Sequence, residues 1–304
     1  MTTEASRQAA ELAVVVPSVN GLQDLRGCLD ALVSEAQQVA LEVIVADRCG
    51  EAVRKAIRSE FPTVRLLVAP AETTIPDLRA MAFAATKAKS VAVIEDHVIV
   101  PPGWARRLLD AQKAGAAVVG GTVENAATGK LVDWAAFLCE YSHCMPPIPA
   151  GTATWLTGNN VVYRRELLER YRQVIARGAW ENVLHDAMRR DGIELICRPE
   201  IHVWHKKHYT VSEYLHQRYL YARSYAGARV AGAAMPRRAM YGVAALMLPP
   251  LLFYRTVARV MRKRRNRIEL LRSLPLIALF VSSWAAGEVV GYWLGPGDSL
   301  VRVC

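Results

Sequence analysis

The sequence has six cysteines (Cys28, Cys49, Cys139, Cys144, Cys197 and Cys304) but no CxxC pair, no Gly-x-Gly-x-x-Gly after its first apolar run, and no GxxxxGK[ST] anywhere. Without the glycine motifs, a dinucleotide-binding fold and a P-loop NTPase both lose their main support. Residues 1–11 are polar and end in Glu11, so they read as a flexible N-terminus with no secretory signal, and reduced thiols in a cytoplasmic domain are expected. Cys139 and Cys144, flanking His143, read as small buried hydrophobes near a loop ahead of metal ligands. No internal repeat or low-complexity tract interrupts the chain.

Acidic residues are nearly missing from one stretch. Residues 235–272 hold ten Lys or Arg against the single acid Glu269, which accounts for nine of the formal net charge of +10. The cluster lies between two apolar segments, not beside stacking aromatics, and so points to an anionic membrane surface and away from nucleic acid. With 304 residues, 52% of them hydrophobic, and a mean hydropathy of +0.12, the chain has room for about two domains and segments that meet lipid.

From Leu12 onward, short apolar runs alternate with segments of helical spacing: LAVVVPS, LEVIVAD, VRLLVAP and VAVIEDHVIV as strands, LQDLRGCLDALVSEA, EAVRKAIRSEF and IPDLRAMAFAATKAK as helices. Continuous apolar strands between helices predict a mainly parallel sheet covered on both faces, with ligands bound beyond the carboxyl ends of the strands. Those ends carry Pro17 to Gly21, Asp47 to Gly50, and Glu95 to His97.

Past Val230 the character changes. Segment 239–254 is uncharged, but its 16 residues reach only about 24 Å as a helix and include Pro249-Pro250, so a re-entrant or short helix is predicted. The basic segment 255–272 would then rest at the interface, and 273–294, with Trp284, Tyr292 and Trp293, is long enough to cross. A full crossing by 239–254 would put eight basic residues outside, against the positive-inside rule.

In sequence order, VVVPSVNGLQDLRGCLDAL, VIVADRCG, IEDHVIVPPGW, GNNVVYRREL, WENVLHDAMRRDGIEL and HVWHKKHYTVSEY resemble the motifs of family 2 glycosyltransferases of the GT-A fold. The resemblance covers about residues 12–230 and leaves 233–304 as a membrane-associating region, so a GT-A domain is expected over 12–232. It implies inverting transfer of a sugar from a nucleotide-sugar donor to an acceptor hydroxyl or phosphate, and the membrane-associating C-terminal region adds the expectation of a lipid-linked or membrane-located acceptor at the cytoplasmic face of a bacterial inner membrane.

By the same resemblance, Pro17, Asn20 and Asp47 line the nucleotide, with Gly21 where the family carries an acid and Arg48 where it carries a second Asp. Glu95, Asp96 and His97 stand at the DxD metal motif, so Asp96, His97 and His205 are expected to hold a divalent cation, manganese or magnesium. Gly158, Asn159 and Arg218 join Glu95 and Asp96 as donor-binding residues. Glu181 falls at the catalytic base, with Asp186, roughly 140° further around the helix, as the lesser candidate. A non-catalytic scaffold with this fold, a membrane nucleotidyltransferase, and homo-oligomerisation stay open from the sequence.

Overall fold

A computed structural model describes residues 10–178 and 180–304, so most of the expected flexible segment 1–11 lies outside the described residues. The chain forms two compact units, one of residues up to Glu124 together with Pro146–Lys206, the other of Asn125–Met145 and Lys207–Cys304.

The first unit carries β1 (Leu12–Ser18), α1 (Leu22–Ala36), β2 (Leu41–Asp47), α2 (Glu51–Glu60), β3 (Arg65–Val68), α3 (Ile75–Ala85), β4 (Ser90–Val93), β5 (Val98–Ile99), α4 (Trp104–Lys113) and β6 (Val118–Asn125). The chain leaves for α5 (Leu131–Tyr141), then returns with β7 (Gly151–Ala153), β8 (Val161–Arg164), α6 (Arg165–Arg170), α7 (Arg172–Ile175), α8 (Glu181–Arg190) and β9 (Leu195–His205). The strands build one mixed sheet in the order β3-β2-β1-β4-β8-β6-β9-β5, with β7 paired to β9. Parallel order holds for β3-β2-β1-β4, where every residue of β1 is buried, as expected of a strand covered on both faces. Beyond β4 the order changes, since β8 runs antiparallel to both β4 and β6, and β9 antiparallel to β5 and β7. The core packs Val15, Ile44, Leu78, Val91, Tyr163 and Met188 together with their neighbours.

The run VAVIEDHVIV is not one strand. It breaks after Val93 into a turn closed by Val98 N–H donating to the Glu95 carbonyl at 3.0 Å, and resumes as β5 beside the end of β9. This break places three polar side chains at the carboxyl end of β4.

The second unit gathers α5 with α9 (Val211–Arg229), α10 (Met235–Ala245), α11 (Leu248–Lys263), α12 (Arg267–Leu294) and α13 (Ser299–Arg302). Helices α5 and α9 therefore fold with the C-terminal helices, although the sequence pattern groups them with the sheet. For α9, Gly287 and Gly291 of α12 let the two backbones come so close that a Cβ at either would sit 2.3 Å from the Tyr219 carbonyl oxygen or 2.6 Å from that of Arg223. Glu288, between those glycines, is buried and accepts hydrogen bonds from Trp284 Nε1 and Tyr292 Oη, both at 2.8 Å. Helix α12 is long and apolar enough to cross a bilayer by length and composition, and α10 and α11 meet at a 52° bend. That bend falls at Leu246–Met247, with Pro249 and Pro250 opening α11 instead of kinking it, since proline is tolerated in a first helical turn.

Candidate active site

Four segments at the carboxyl ends of the parallel strands meet in the first unit. The first follows β1. Val19 N and Asn20 N both donate to Asp96 Oδ2 at 2.8 Å, and Asn20 Nδ2 donates to Asp96 Oδ1 at 2.6 Å. Gly21, where the family carries an acid, takes φ +94°, a conformation that side-chain-bearing residues rarely adopt. Pro17 is buried in β1, in register with Ala46.

The second segment ends β2. Asp47 is fully buried and accepts from Ser18 Oγ (2.9 Å), Cys49 N (3.2 Å), Gly50 N (3.3 Å) and Arg54 Nε (2.8 Å). Its carboxylate thus organises the β2–α2 turn, and Arg54 is its ionic partner.

The third is the turn between β4 and β5, with the end of β9. His97 Nε2 lies 2.9 Å from His205 Nε2 and 3.3 Å from Glu95 Oε2, and these three are the one metal-capable set among the described residues. Glu95 and His97 do point the same way. Asp96, expected among the ligands, instead turns towards the β1 loop and holds His97 Nδ1 with Oδ1 at 3.1 Å. Register fixes His205 opposite Val98, and Lys206 N donates to the His97 carbonyl at 3.0 Å. Burial opposes the charge on Glu95 and His97, but mutual contact wins. The hydrogen bond and charge of His97, with the charges of His205 and Arg79, bring Glu95 down to about 2, while Asp96 and Glu95 push His97 up to about 9.

The fourth segment is the loop before β8, with the start of α8. Thr157 Oγ1 donates to Asn159 Oδ1 at 2.7 Å, and Asn159 Nδ2 donates to Glu95 Oε2 at 3.1 Å. Asn160 receives the Trp104 indole N–H at 3.0 Å and donates to the carbonyls of Thr122 and Ile201, stapling the loop to the core. Gly158 makes room for Glu181, whose Cδ lies 2.5 Å from where a Cβ would stand. Glu181 begins α8, where the helix dipole favours an acid, and its Oε2 pairs with Arg79 Nη1 at 2.9 Å. Behind this pair lies a recess lined by Pro76, Phe83, Val174, Trp180 and Leu184. His185 is wholly buried, with Nε2 at 2.7 Å from Tyr163 Oη, and desolvation lowers it to about 4.

Asp186 faces outward, its side chain 62% exposed beside Arg189, and does not share the recess with Glu181. Arg218 belongs to the second unit, its guanidinium 4.0 Å above the Trp284 ring. Sequence reasoning missed Arg79, which is 6% exposed. A signal existed: Arg79 occupies the buried stripe of α3 shared by Ile75, Leu78 and Ala82, where a lone cation needs a buried partner.

A mixed sheet of this order, with acids and histidines gathered at one end, is that of the GT-A glycosyltransferases. Residues 9–223 match the profile of the family described as glycosyltransferase like family 2, and the chain belongs to that family. A comparison with curated proteins found no match.

Proposed function

We propose that the protein is an inverting glycosyltransferase that moves a sugar from a nucleotide-sugar donor to a hydroxyl or phosphate of a lipid-linked acceptor at the cytoplasmic face of a bacterial inner membrane. The observation that carries the reading is one loop, Thr157–Asn160, that touches Glu181 through Gly158 and Glu95 through Asn159. Base and metal-capable cluster are thereby tied together, as a transfer between a donor phosphate and an acceptor oxygen requires.

In this reading Glu181 accepts the acceptor's proton as the oxygen attacks the anomeric carbon. Arg79 holds that carboxylate through their ion pair, and the missing side chain at Gly158 leaves it room. Glu95, His97 and His205 would hold a divalent cation, manganese or magnesium, and three ligand atoms all within 4.8 Å of one another suit one ion. When bound, the ion supplies a Lewis acid for the departing diphosphate. Asn20 and Asp47, on the loops after β1 and β2, are assigned to the nucleotide.

The membrane part of the proposal rests on the second unit. Exposed Met240, Leu246, Met247, Leu251 and Tyr254 lie along α10 and α11 between Arg237 and Arg238 on one side and the basic cluster from Arg255 on the other, a pattern suited to anionic lipid. Helix α12 would span, and the bent pair would lie in the interface or re-enter. Glu181→Gln is expected to cut transfer by about 10²- to 10⁴-fold while leaving nucleotide binding intact. Turnover above half of wild type would remove Glu181 from the base role.

A further inference from the structure

Beyond sugar transfer, the donor set itself says which ion belongs there and when it arrives. We propose that Glu95, His97 and His205 form a resident three-ligand site for a first-row transition ion, filled before any nucleotide binds and discriminating against magnesium. This deepens the divalent-ion part of the proposed function and rests on it, but not on the sugar chemistry.

Magnesium prefers oxygen and waters, and is usually held by one or two carboxylates plus the substrate's phosphates. Two imidazoles and one carboxylate are a different set. They suit manganese, iron, cobalt or zinc, and one ligand atom from each residue lies within 4.8 Å of the other two. Three protein ligands need no phosphate to complete a binding site.

The surroundings are built to match. Asp96 Oδ1 holds His97 Nδ1 at 3.1 Å, which leaves Nε2 directed at Glu95 and His205; a carboxylate behind a ligating histidine fixes both ring orientation and tautomer. Asp96 is itself immobilised by Val19 N, Asn20 N and Asn20 Nδ2. On the other ligand, Asn159 Nδ2 steadies Glu95 Oε2, and Thr157 steadies Asn159. The position that the sequence assigns to a metal ligand, Asp96, is thus a positioning residue.

The test is calorimetry on the detergent-extracted full chain, free of nucleotide, titrated separately with manganese and magnesium chloride, and pulsed electron paramagnetic resonance of the manganese form. One manganese ion per chain should bind at least about tenfold more tightly than magnesium, with nitrogen couplings from two imidazoles. His97→Ala should abolish binding, and Asp96→Asn should weaken it by about 10- to 100-fold. Equal affinity for the two ions, or a His97→Ala variant that binds like wild type, overturns the proposal. Manganese binding that appears only after a nucleoside diphosphate is added overturns the resident ion and spares the divalent-ion reading; no binding under either condition overturns both. Should Asp96→Asn fail to fold, because Asp96 also holds Val19 and Asn20, Asn159→Ala tests the other support. Its metal affinity should fall about tenfold, and wild-type affinity there contradicts the positioning scheme.

Discussion

Arg79 and Glu181 set a stability problem at the level of single residues. Both are largely buried, so removing one takes away the other's hydrogen-bonded ionic partner. Arg79→Met should lower unfolding free energy by about 3–5 kcal/mol, and adding Glu181→Gln should recover part of that, because the stranded charge is then gone. Denaturant melts of the two single variants and the double variant check this; strictly additive losses would mean the pair is not coupled. His185 gives a pH dependence. Its ordinary value near 6.5 falls to about 4 in the folded state because burial disfavours the imidazolium. A depressed folded value means that the unfolded chain binds the extra proton first. The contribution is intact above pH 6.5, declines as pH falls, and is lost by about pH 4, a total of about 3 kcal/mol. Stability measured from pH 7 to 4.5 should fall less steeply in His185→Gln than in wild type; equal slopes would mean that His185 is not the group responsible.

Elements differ in how openly they announce themselves. Strands β1, β2 and β4 and the first three helices were legible because each buries a continuous run or an amphipathic stripe, signals that local sequence carries by itself. The place of Glu181 at the start of α8 and the shared direction of Glu95 and His97 were legible too, through motif order and through the way side chains alternate. The inward turn of Asp96 was not, because it depends on amides donated by Val19 and Asn20, far away in sequence. Nor was the close packing of α9 on α12, which comes from backbone contacts at Gly287 and Gly291 and not from any pattern within α9. Those contacts make a prediction about α12. Gly287→Leu and Gly291→Leu must push α9 away, and each should destabilise the helical unit by about 1–3 kcal/mol or more, whereas Ala286→Leu, outside the contact, should be milder. Thermal unfolding of the three variants ranks them, and equal losses would contradict close packing as the cause.

For the whole molecule, membrane topology and reaction are separate claims. Arg264→Cys and Leu300→Cys, introduced after the native thiols are replaced, can be probed in intact cells with a membrane-impermeant reagent. An interfacial or re-entrant α10–α11 pair keeps position 264 unlabelled and, with α12 spanning, exposes position 300. Labelling of 264 from outside would instead make the bent pair a crossing. The central claim, a transferase whose base is Glu181, is tested most directly by incubating detergent-extracted protein with a panel of nucleotide sugars and manganese, and following nucleoside diphosphate release. Wild type should release diphosphate from at least one donor, and Glu181→Gln should slow transfer to a lipid acceptor by about 10²- to 10⁴-fold while still binding that donor. A Glu181→Gln variant that transfers at the wild-type rate would contradict the account.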